Sequence, residues 1–466
     1  MPATDIDDAL RGIWDLGFDQ PSALASLQVQ LRPPSLPSTF CVDTAASACI
    51  GAAALAAAQV WTARTGKAQQ VSLESNNAAL SYRSERYLRL NGEVIDHPAP
   101  EQSYFQDRDG RWMQLHMVYP HHRAGILSAL GVPDERGAIA AKVASVDAVE
   151  LETQLAALGL PAYAQRSAEE WQATEQAAAL ALLPLLQLEQ IGDAPPLELP
   201  KDPSAILHGI RVLDMTRVIA GPVCGRSLAA HGADVMRIHP PHLTEIPGLL
   251  MDGGRGKRCA NVNLHEPSDR AAFDHMLASA HVLVQGFRPG GIEGLGYGAE
   301  ALAERHPGIV HVSLSAWSHA GPWAARHGFD SLVQTATGIS HAGGLAVVSD
   351  RPRPLPCPLP CQVLDHSSGY LAAFAVLAAL KRRIEVGGSW RVRLSLAQTG
   401  RWFDGLGRVD AQHTPEPDAA TVAARMHLLP SDFGELTASL PVAQFSQTPP
   451  AWRSGPVALG ANAAAW

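Results

Sequence analysis

The chain has 466 residues, of which 46% are hydrophobic and 17% are charged, and its formal net charge is −9. A chain of this length can form two or three domains with a sizeable core, and the hydrophobic fraction is normal for a globular protein. The negative net charge and the lack of a Lys/Arg-rich run argue against nucleic acid, so we expect a small-molecule partner.

Composition also bears on location and metal content. The Ala-rich stretches 45–58 and 371–380 are too short or too interrupted to predict a membrane span, and the first residues lack the basic and apolar regions of a secretion signal. The six cysteines include no CxxC pair, which predicts reduced thiols. We therefore expect a soluble, cytoplasmic protein with no metal site and no membrane partner.

The start of the chain predicts a linker, a helix and a strand. Residues 1–40 hold a short amphipathic segment and a Pro-rich stretch. An Ala-rich helix then opens at Asp43 and ends near Gly66, and residues 68–73 have the pattern of a strand.

Residues 76–190 predict a smaller α/β domain. Segments 104–106 and 112–117 flank an Asp-Gly turn and indicate a hairpin, and helical segments follow. Residues 192–208 contain four prolines and predict a linker.

Three histidines lie close together in this smaller domain, at His116, His121 and His122. Such a cluster invites a metal site as its interpretation, but the spacing matches no ligand motif. We therefore interpret them as surface or structural histidines.

The segment 208–240 changes its hydrophobic pattern from strand to helix and back to strand. Residues 210–215 are typical of a buried parallel strand, and Pro222 suits the first position of a helix. We expect the helix to end at Gly232, before a second strand that starts at Val235. The segment thus predicts a βαβ unit.

The loop between this strand and helix precedes a helix N-terminus, where free N–H groups favour a phosphate or a carboxylate. The nicotinamide-type GxGxxG fingerprint is absent, because only Gly221 and Gly225 punctuate the turn and no acidic residue ends the next strand. We therefore exclude an NAD enzyme.

A Gly-rich turn at 253–264 carries three cations, Arg255, Lys257 and Arg258. These side chains can bind a phosphate through charge-assisted hydrogen bonds. Composition alone favours the alternative, a solvated basic loop.

Two more segments, 280–284 and 309–314, predict buried strands, and each is followed by a Gly or Ser turn. In an open parallel sheet such turns form the ligand crevice. Residues 209–400 thus predict a Rossmann-like layered domain.

A second long helix opens at Asp365, and a strand follows at 390–396. The same order of Asp, helix and strand occurs from Asp43 to residue 73. The spacing is the same to within one residue, which predicts an internal repeat.

Several motifs occur in a fixed order: GIRVLDMTRVIAGP from 209, GKR at 256–258, VLVQGFRPGGIEGLGYG from 282, SAWSHAGPWAARHGFDSLVQTATGI from 315, and LDHSSGYLAAFAVLAALKRR from 364. In these motifs the chain resembles the class III CoA-transferases (CaiB/BaiF). That family includes formyl-CoA and carnitine CoA-transferases and the α-methylacyl-CoA racemases. The match covers about 209–400, and the earlier half resembles the C-terminal half of the family, so the two halves stand in swapped order.

The resemblance implies an α/β fold, with a Rossmann-like open parallel sheet that has helices on both faces, a smaller α/β domain and an interlocked homodimer. The expected division of the chain is an N-terminal segment 1–40, a region 41–191 that resembles the family's C-terminal half, a linker 192–208, a CoA-binding catalytic domain 209–400 and a tail 401–466.

The resemblance also implies a CoA thioester substrate, a carboxylic acid acceptor and an Asp nucleophile at the start of a helix. The matching residue is Asp365. Without the resemblance, an Asp in this place reads as a helix N-cap, and that is the interpretation we give to Asp43. A nearby glycine-rich loop would stabilise the oxyanion, and the stretch around Gly338, Gly343 and Gly344 is suitable.

By position, the resemblance places a set of residues beside CoA. They are Val218, Ile219, Ala220, Val262, Asn263, Leu264, His265, Gly286, Phe287, Arg288, His327, Gly328, Phe329 and Asp330. The basic turn adds Arg255, Lys257 and Arg258 as candidate phosphate ligands.

The chain departs from the family pattern at two positions. Gly286 stands where the family has Asn in its NFRPG turn. Phe329 stands where the racemase branch has the His that serves as its base, and His327 lies two positions away.

Three functions are therefore open, and transfer of CoA to a carboxylic acid is preferred because it needs only the carboxylate and an oxyanion site. A racemase or isomerase of acyl-CoA is the first alternative, weakened by Phe329. A non-catalytic CoA-binding partner is the second, weakened by Asp365.

Overall fold

A computed structural model of the chain describes residues 3–95, 103–347 and 354–466. The strands, in chain order, are β1 (Leu27–Gln30), β2 (Ser38–Phe40), β3 (Val71–Glu74), β4 (Arg89–Leu90), β5 (Glu93–Val94), β6 (Tyr104–Gln106), β7 (Trp112–Leu115), β8 (Ala162–Ala164), β9 (Leu186–Gly192), β10 (Arg211–Met215), β11 (Asp234–His239), β12 (Lys257–Asn261), β13 (Val282–Gln285), β14 (Val310–Ser315), β15 (Ser389–Ser395), β16 (Arg408–Ala411), β17 (Met426–Ser431), β18 (Gly434–Ser439) and β19 (Gln444–Phe445).

The α-helices, in chain order, are α1 (Ile6–Trp14), α2 (Val42–Thr65), α3 (Ser75–Ser81), α4 (Pro120–Leu130), α5 (Arg136–Val143), α6 (Ala148–Ala157), α7 (Ala168–Gln172), α8 (Glu175–Ala181), α9 (Ala220–Ala230), α10 (Pro247–Gly253), α11 (Pro267–Leu277), α12 (Ala299–Arg305), α13 (Asp330–Ala336), α14 (Ile339–Ala346), α15 (Val363–Glu385), α16 (Leu396–Gly405) and α17 (Ala419–Ala423).

The largest sheet has seven strands in the order β12-β11-β10-β13-β14-β15-β9. All neighbouring pairs are parallel except β15 with β9, which is antiparallel. Buried apolar side chains fill both faces of these strands, as expected for a parallel sheet that helices cover on both sides. The predicted Rossmann-like α/β fold is thereby confirmed.

The βαβ unit predicted over 208–240 is present as β10, α9 and β11. Gly232 has a φ of 92°, the left-handed conformation expected after the helix. The prediction for Pro222 was wrong by two residues, because α9 already begins at Ala220. This earlier start brings the loop after β10 directly onto the N-terminus of the helix.

The internal repeat appears as two long central helices, α2 and α15, each followed by a strand. Both helices are long and apolar enough to cross a membrane, but most of their residues are buried inside the protein, as in the core helices of a globular domain. The first copy has only a small sheet of three short strands, β1-β3-β19, where the second copy has the seven-stranded sheet.

One close approach fixes the position of α15 against α9. A Cβ atom at Gly369 would lie 2.5 Å from the carbonyl oxygen of Ala220 and 2.6 Å from Cβ of Val223. Only glycine therefore permits the first turns of α15 to approach the start of α9 so closely.

The smaller domain is built on the sheet β6-β7-β8 and the helices around it, with a core of its own. The predicted hairpin is confirmed, because β6 pairs with β7 in antiparallel orientation. Residues 401–466, expected as a tail, include strands that join the two halves of the chain: β16 pairs with β2, and β18 pairs with β4.

Candidate active site

Asp365 is the third residue of α15, and its side chain is buried. The N-cap position belongs to Gln362, and no side chain caps this helix. The alternative interpretation of Asp365 as an N-cap is therefore wrong. Its side chain instead lines two cavities.

The first cavity, which we call the loop cavity, has a volume of about 350 Å³. It lies at the carboxyl ends of β10, β13 and β14, where an open parallel sheet binds its ligands. Residues that the sequence placed beside CoA line it: Val218, Ala220, Gly286, Phe287, Arg288, His327, Gly328 and Phe329.

The second cavity, which we call the domain cavity, has a volume of about 430 Å³. One side belongs to the smaller domain and to the segment before it, with Glu85, Arg86, Gln114 and His116. The other side belongs to the Rossmann-like domain, and includes Ile219 and Asp330 among the predicted residues.

Four residues line both cavities: Tyr119, Val218, Phe329 and Asp365. Val218 has a φ of 69°, a left-handed conformation that is strained for a β-branched residue. Such strain persists only where the surrounding structure holds it, and it is concentrated at functional sites. The two cavities thus meet at the nucleophile candidate and a strained loop.

Asp330 and Asp365 form a buried carboxyl pair. The backbone N–H of Asp365 donates to Oδ2 of Asp330 at 2.9 Å, and the amide of Gln334 donates to Oδ1 of the same side chain. Burial raises the pKa of both carboxyls, and the pKa of Asp365 is raised further by the charges of Asp330 and Glu85.

Glu85, a third acid near Asp365, is paired with a buried histidine. Its Oε2 lies 3.1 Å from Nε2 of His366, the residue that follows the nucleophile candidate. Burial acts to raise the pKa of Glu85, but the hydrogen bond and charge of His366 hold it below its ordinary value. This pair links the N-terminal half of the chain to the start of α15.

The histidines that we interpreted as structural line the two cavities. Their sequence pattern did not reveal this position. The ring of His116 stacks on Phe329 with 3.9 Å between centroids, and His122 lies edge-on to His327 at 5.2 Å. Burial lowers the pKa of His116 and His327 to about 4 and that of His122 to about 3, so these rings are neutral near pH 7.

The basic turn does not bring its cations to either cavity. Nζ of Lys257 contacts Oδ2 of Asp214 at 2.7 Å, and Nη2 of Arg255 contacts Asp252 at 2.6 Å; both pairs are buried. Arg258 pairs with an acid on the neighbouring strand of the sheet.

The composition of this turn misled the prediction because Lys257 and Arg258 lie on β12. Residues 262–265 follow that strand and line neither cavity; Val262 is part of the core and Leu264 packs against it. The structure therefore does not bring these residues together with Asp365.

Arg288 is the cation of the loop cavity that has no acidic partner among the described residues. Two others there are paired, Arg217 with Glu245 at 2.9 Å and Arg326 with Glu152 at 3.0 Å. The guanidinium of Arg288 donates only a long hydrogen bond of 3.3 Å to the carbonyl oxygen of Ala325.

The glycine-rich stretch expected to form an oxyanion site lies elsewhere. Gly343 and Gly344 belong to α14, which packs against the carbonyl groups of Cys357 and Leu355, and the stretch lines neither cavity. The first turn of α9, at Ala220, does line the loop cavity, and a helix start has N–H groups without helical partners.

Asp43, the repeat counterpart of Asp365, lies in a separate cavity at the N-terminal half. It accepts a hydrogen bond of 3.3 Å from Ser35 and makes no cap bond to its own helix. Burial raises its pKa to about 6. None of the residues placed beside CoA line this cavity.

Comparison with known proteins identifies the family. The family model described as CoA-transferase family III matches residues 10–199 and 207–420, in two parts that together cover most of the chain. The chain therefore belongs to CoA-transferase family III.

Curated relatives carry the same class of name. An acetyl-coenzyme A transferase of Hypoxylon pulicicidum is 34% identical over 44% of this chain and 34% of its own length. An acyl-CoA transferase of Gibberella moniliformis is 28% identical over 62% of this chain and 53% of its own length. The chain thus spans about a third to a half of these relatives.

A crystal structure of Rv3272 from Mycobacterium tuberculosis is similar at 30% identity, with a TM-score of 0.40, over 44% of this chain and 57% of that one. The names of both curated relatives describe them as CoA or acyl-CoA transferases.

Proposed function

We propose that this enzyme moves CoA from an acyl-CoA thioester to a carboxylic acid, with Asp365 as the nucleophile. The observation that supports this proposal is the place of Asp365, which lines both cavities where they meet. A carboxylate there can reach a thioester carbonyl whose CoA portion lies in one cavity and whose acyl portion lies in the other.

The first half of the proposed reaction forms an aspartyl-CoA thioester. A carboxylate oxygen of Asp365 attacks the thioester carbonyl, the C–S bond breaks, and the products are a mixed anhydride and CoA thiolate. The thiolate then attacks the aspartyl carbonyl carbon and expels the donor acid as a carboxylate.

The second half reverses these steps with another acid. The acceptor carboxylate attacks the aspartyl thioester, which releases CoA thiolate and forms a second mixed anhydride. The thiolate attacks the acyl carbon of the acceptor, and the carboxylate of Asp365 is regenerated. Splitting the exchange lowers each barrier, and the chemistry needs no metal.

Residues of the loop cavity are proposed to hold CoA. Arg288 is suited to one of its phosphates because it has no acidic partner among the described residues. The N–H groups at the start of α9, near Ala220 and Gly221, are suited to stabilise the oxyanion. Both assignments rest on the position of these groups around Asp365.

The experiment that tests this proposal compares two aspartates of the internal repeat. Asp365→Ala should abolish CoA transfer, whereas Asp43→Ala should keep at least about half of it, because Asp43 lines a separate cavity away from Asp365. Transfer by Asp365→Ala at a near-native rate would contradict the assignment.

Exchange of the α-proton of an acyl-CoA is the second candidate function. The observation that favours it is the neutral ring of His116, which lines the domain cavity together with Asp365. A neutral imidazole can accept a proton, which Phe329 cannot. Transfer remains the preferred function because it needs no second acid–base group.

The interlocked homodimer and the cytoplasmic location expected from the sequence are part of the proposal. The two cavities are lined by both halves of a single chain. Light scattering on the purified protein measures the oligomeric state directly.

A further inference from the structure

The described lining of the domain cavity has more acidic than basic side chains, whereas the proposed acceptor is an anion. Glu85, Asp330 and Asp365 line the cavity, and Arg86 is the one Arg or Lys among its described lining residues. His116 adds no positive charge near pH 7, because burial lowers its pKa to about 4. Among the described lining residues, Arg86 is therefore the cation that an entering carboxylate can bind.

We propose that Arg86 binds the carboxylate of the acceptor acid, and that the acceptors are acids with one carboxylate and an apolar body. This inference rests on the proposed CoA transfer and names its substrate class. Arg86 belongs to the N-terminal half of the chain, so the half without a complete sheet supplies acceptor recognition.

The contacts of Arg86 leave it able to bind an anion. Its Nε lies 3.7 Å from Oε1 of Glu85, a long ion pair, while the other oxygen of Glu85 is bound at 3.1 Å to His366. The side chain of Arg86 is 34% exposed, whereas that of Glu85 is 3% exposed. The carboxylate of Glu85 is thus shared with His366, and Arg86 is one of the residues that line the cavity.

Gln362 ties Arg86 to the nucleophile. With its amide oriented to satisfy both neighbours, its oxygen accepts from Nη2 of Arg86 at 3.2 Å and its nitrogen donates to Oε1 of Glu85 at 3.1 Å. Gln362 is the N-cap residue of α15, three positions before Asp365. A carboxylate on Arg86 is therefore held close to the start of the helix that carries the nucleophile.

Apolar side chains form much of the remaining wall, and the polar residues Ser103, Gln114 and Ser331 there hydrogen-bond to one another. Val94, Ile95, Val118, Ile246 and Leu249 line the cavity. A second carboxylate in the acid would lie against these side chains or beside the acidic residues, and in either place its lost hydration is not repaid. An acid with a single carboxylate and an apolar body can bind Arg86 through the carboxylate and pack its body against the apolar wall.

The test uses steady-state kinetics on the complete chain, with an acyl-CoA donor that labels Asp365. The acceptors are 4-methylpentanoate and phenylacetate against succinate and glutarate. We expect kcat/KM to be at least about tenfold higher for the monocarboxylates, because a charge left without a partner in an apolar site is strongly disfavoured.

Substitutions at two arginines separate the roles of the two cavities. Arg86→Met should raise KM for the acceptor by more than about tenfold with KM for acyl-CoA within about twofold, since a charge-assisted hydrogen bond is lost on one side only. Arg86→Lys should restore part of the acceptor affinity. The matched control, Arg288→Met, should raise KM for acyl-CoA and leave KM for the acceptor unchanged.

Preference for succinate or glutarate, or an unchanged acceptor KM in a folded Arg86→Met, would overturn this inference while Asp365 labelling keeps the transferase proposal intact. If no acyl-CoA labels Asp365, the transferase proposal itself fails. Melting curves of the Arg86 and Arg288 variants test whether the folded state is retained.

Discussion

The backbone N–H of Asp365 donates a hydrogen bond of 2.9 Å to the carboxyl of Asp330. Both side chains are buried, and the nearby charge adds to burial in raising the pKa of Asp365. These surroundings disfavour the reactive form of the proposed nucleophile, because only the carboxylate form attacks a thioester. Its neighbour sets how much of that form is present at a given pH.

This relationship predicts a shift in the pH profile. Asp330→Asn retains an oxygen that can accept the N–H of Asp365 but removes the like charge, so the pKa of Asp365 should fall. The acid limb of the kcat/KM profile for transfer should move to lower pH. Asp43→Asn is the matched control and should not shift the acid limb. An unshifted acid limb in Asp330→Asn would contradict an effect of the Asp330 charge on the pKa of Asp365.

A second prediction concerns stability. Because the folded-state pKa of Asp365 is raised, the stability that this group contributes is present at acidic pH and is lost as pH rises through the folded pKa. Asp365→Asn, which stays neutral, should therefore raise Tm more at pH 8 than at pH 5. Equal changes in Tm at both values would show that the carboxyl is not perturbed by burial.

The basic strand β12 offers a third prediction. Lys257→Met leaves Asp214 buried without its cationic partner and should lower the free energy of unfolding by roughly 3–5 kcal/mol. Arg258→Met removes a largely exposed pair and should cost less than about 1 kcal/mol. Denaturant unfolding measures both, and KM for acyl-CoA in Arg258→Met should match the wild-type value. Weaker acyl-CoA binding in Arg258→Met would indicate that Arg258 contacts the substrate.

The approach of α15 to α9 gives a fourth prediction. Gly369→Ala places a methyl group 2.5 Å from the carbonyl oxygen of Ala220, and the strain should cost roughly 1–3 kcal/mol of stability. It should also lower kcat, because the first turn of α15 carries Asp365. Gly405→Ala, where a Cβ atom meets nothing within 4 Å, is the control for both measurements.

A fifth prediction separates transfer from α-proton exchange. With a 2-methylacyl-CoA in deuterated water, the enzyme should not incorporate deuterium at the α-position. It should transfer CoA to an added carboxylic acid. NMR follows the first and chromatography the second. Rapid α-deuteration without transfer would favour the alternative function and point to His116 or His327 as the base.

Much of the sheet could be predicted from the sequence because its signals are local. The β10-α9-β11 unit shows its change of period within one segment, and Gly232 marks the end of its helix by its backbone conformation. Asp365 was different, since a lone Asp near a helix start has a commoner explanation. Its selection depended on the family resemblance.

The remaining site residues could not be found from local patterns. Glu85 meets His366 across 281 positions, and His116 reaches Phe329 from another domain. Lys257 was misplaced for the opposite reason, because a basic turn in sequence became a buried ion pair in the fold. Composition records charge but not which partner neutralises it.

The proposed reaction attaches CoA to Asp365 during transfer. The direct measurement is mass spectrometry of the intact protein, and then of its peptides, after incubation with a panel of acyl-CoA donors. We expect an adduct on the peptide that contains Asp365, which disappears on addition of an acceptor carboxylate and is absent from Asp365→Asn. Transfer without any adduct, or an adduct on Asp43 instead, would contradict the account.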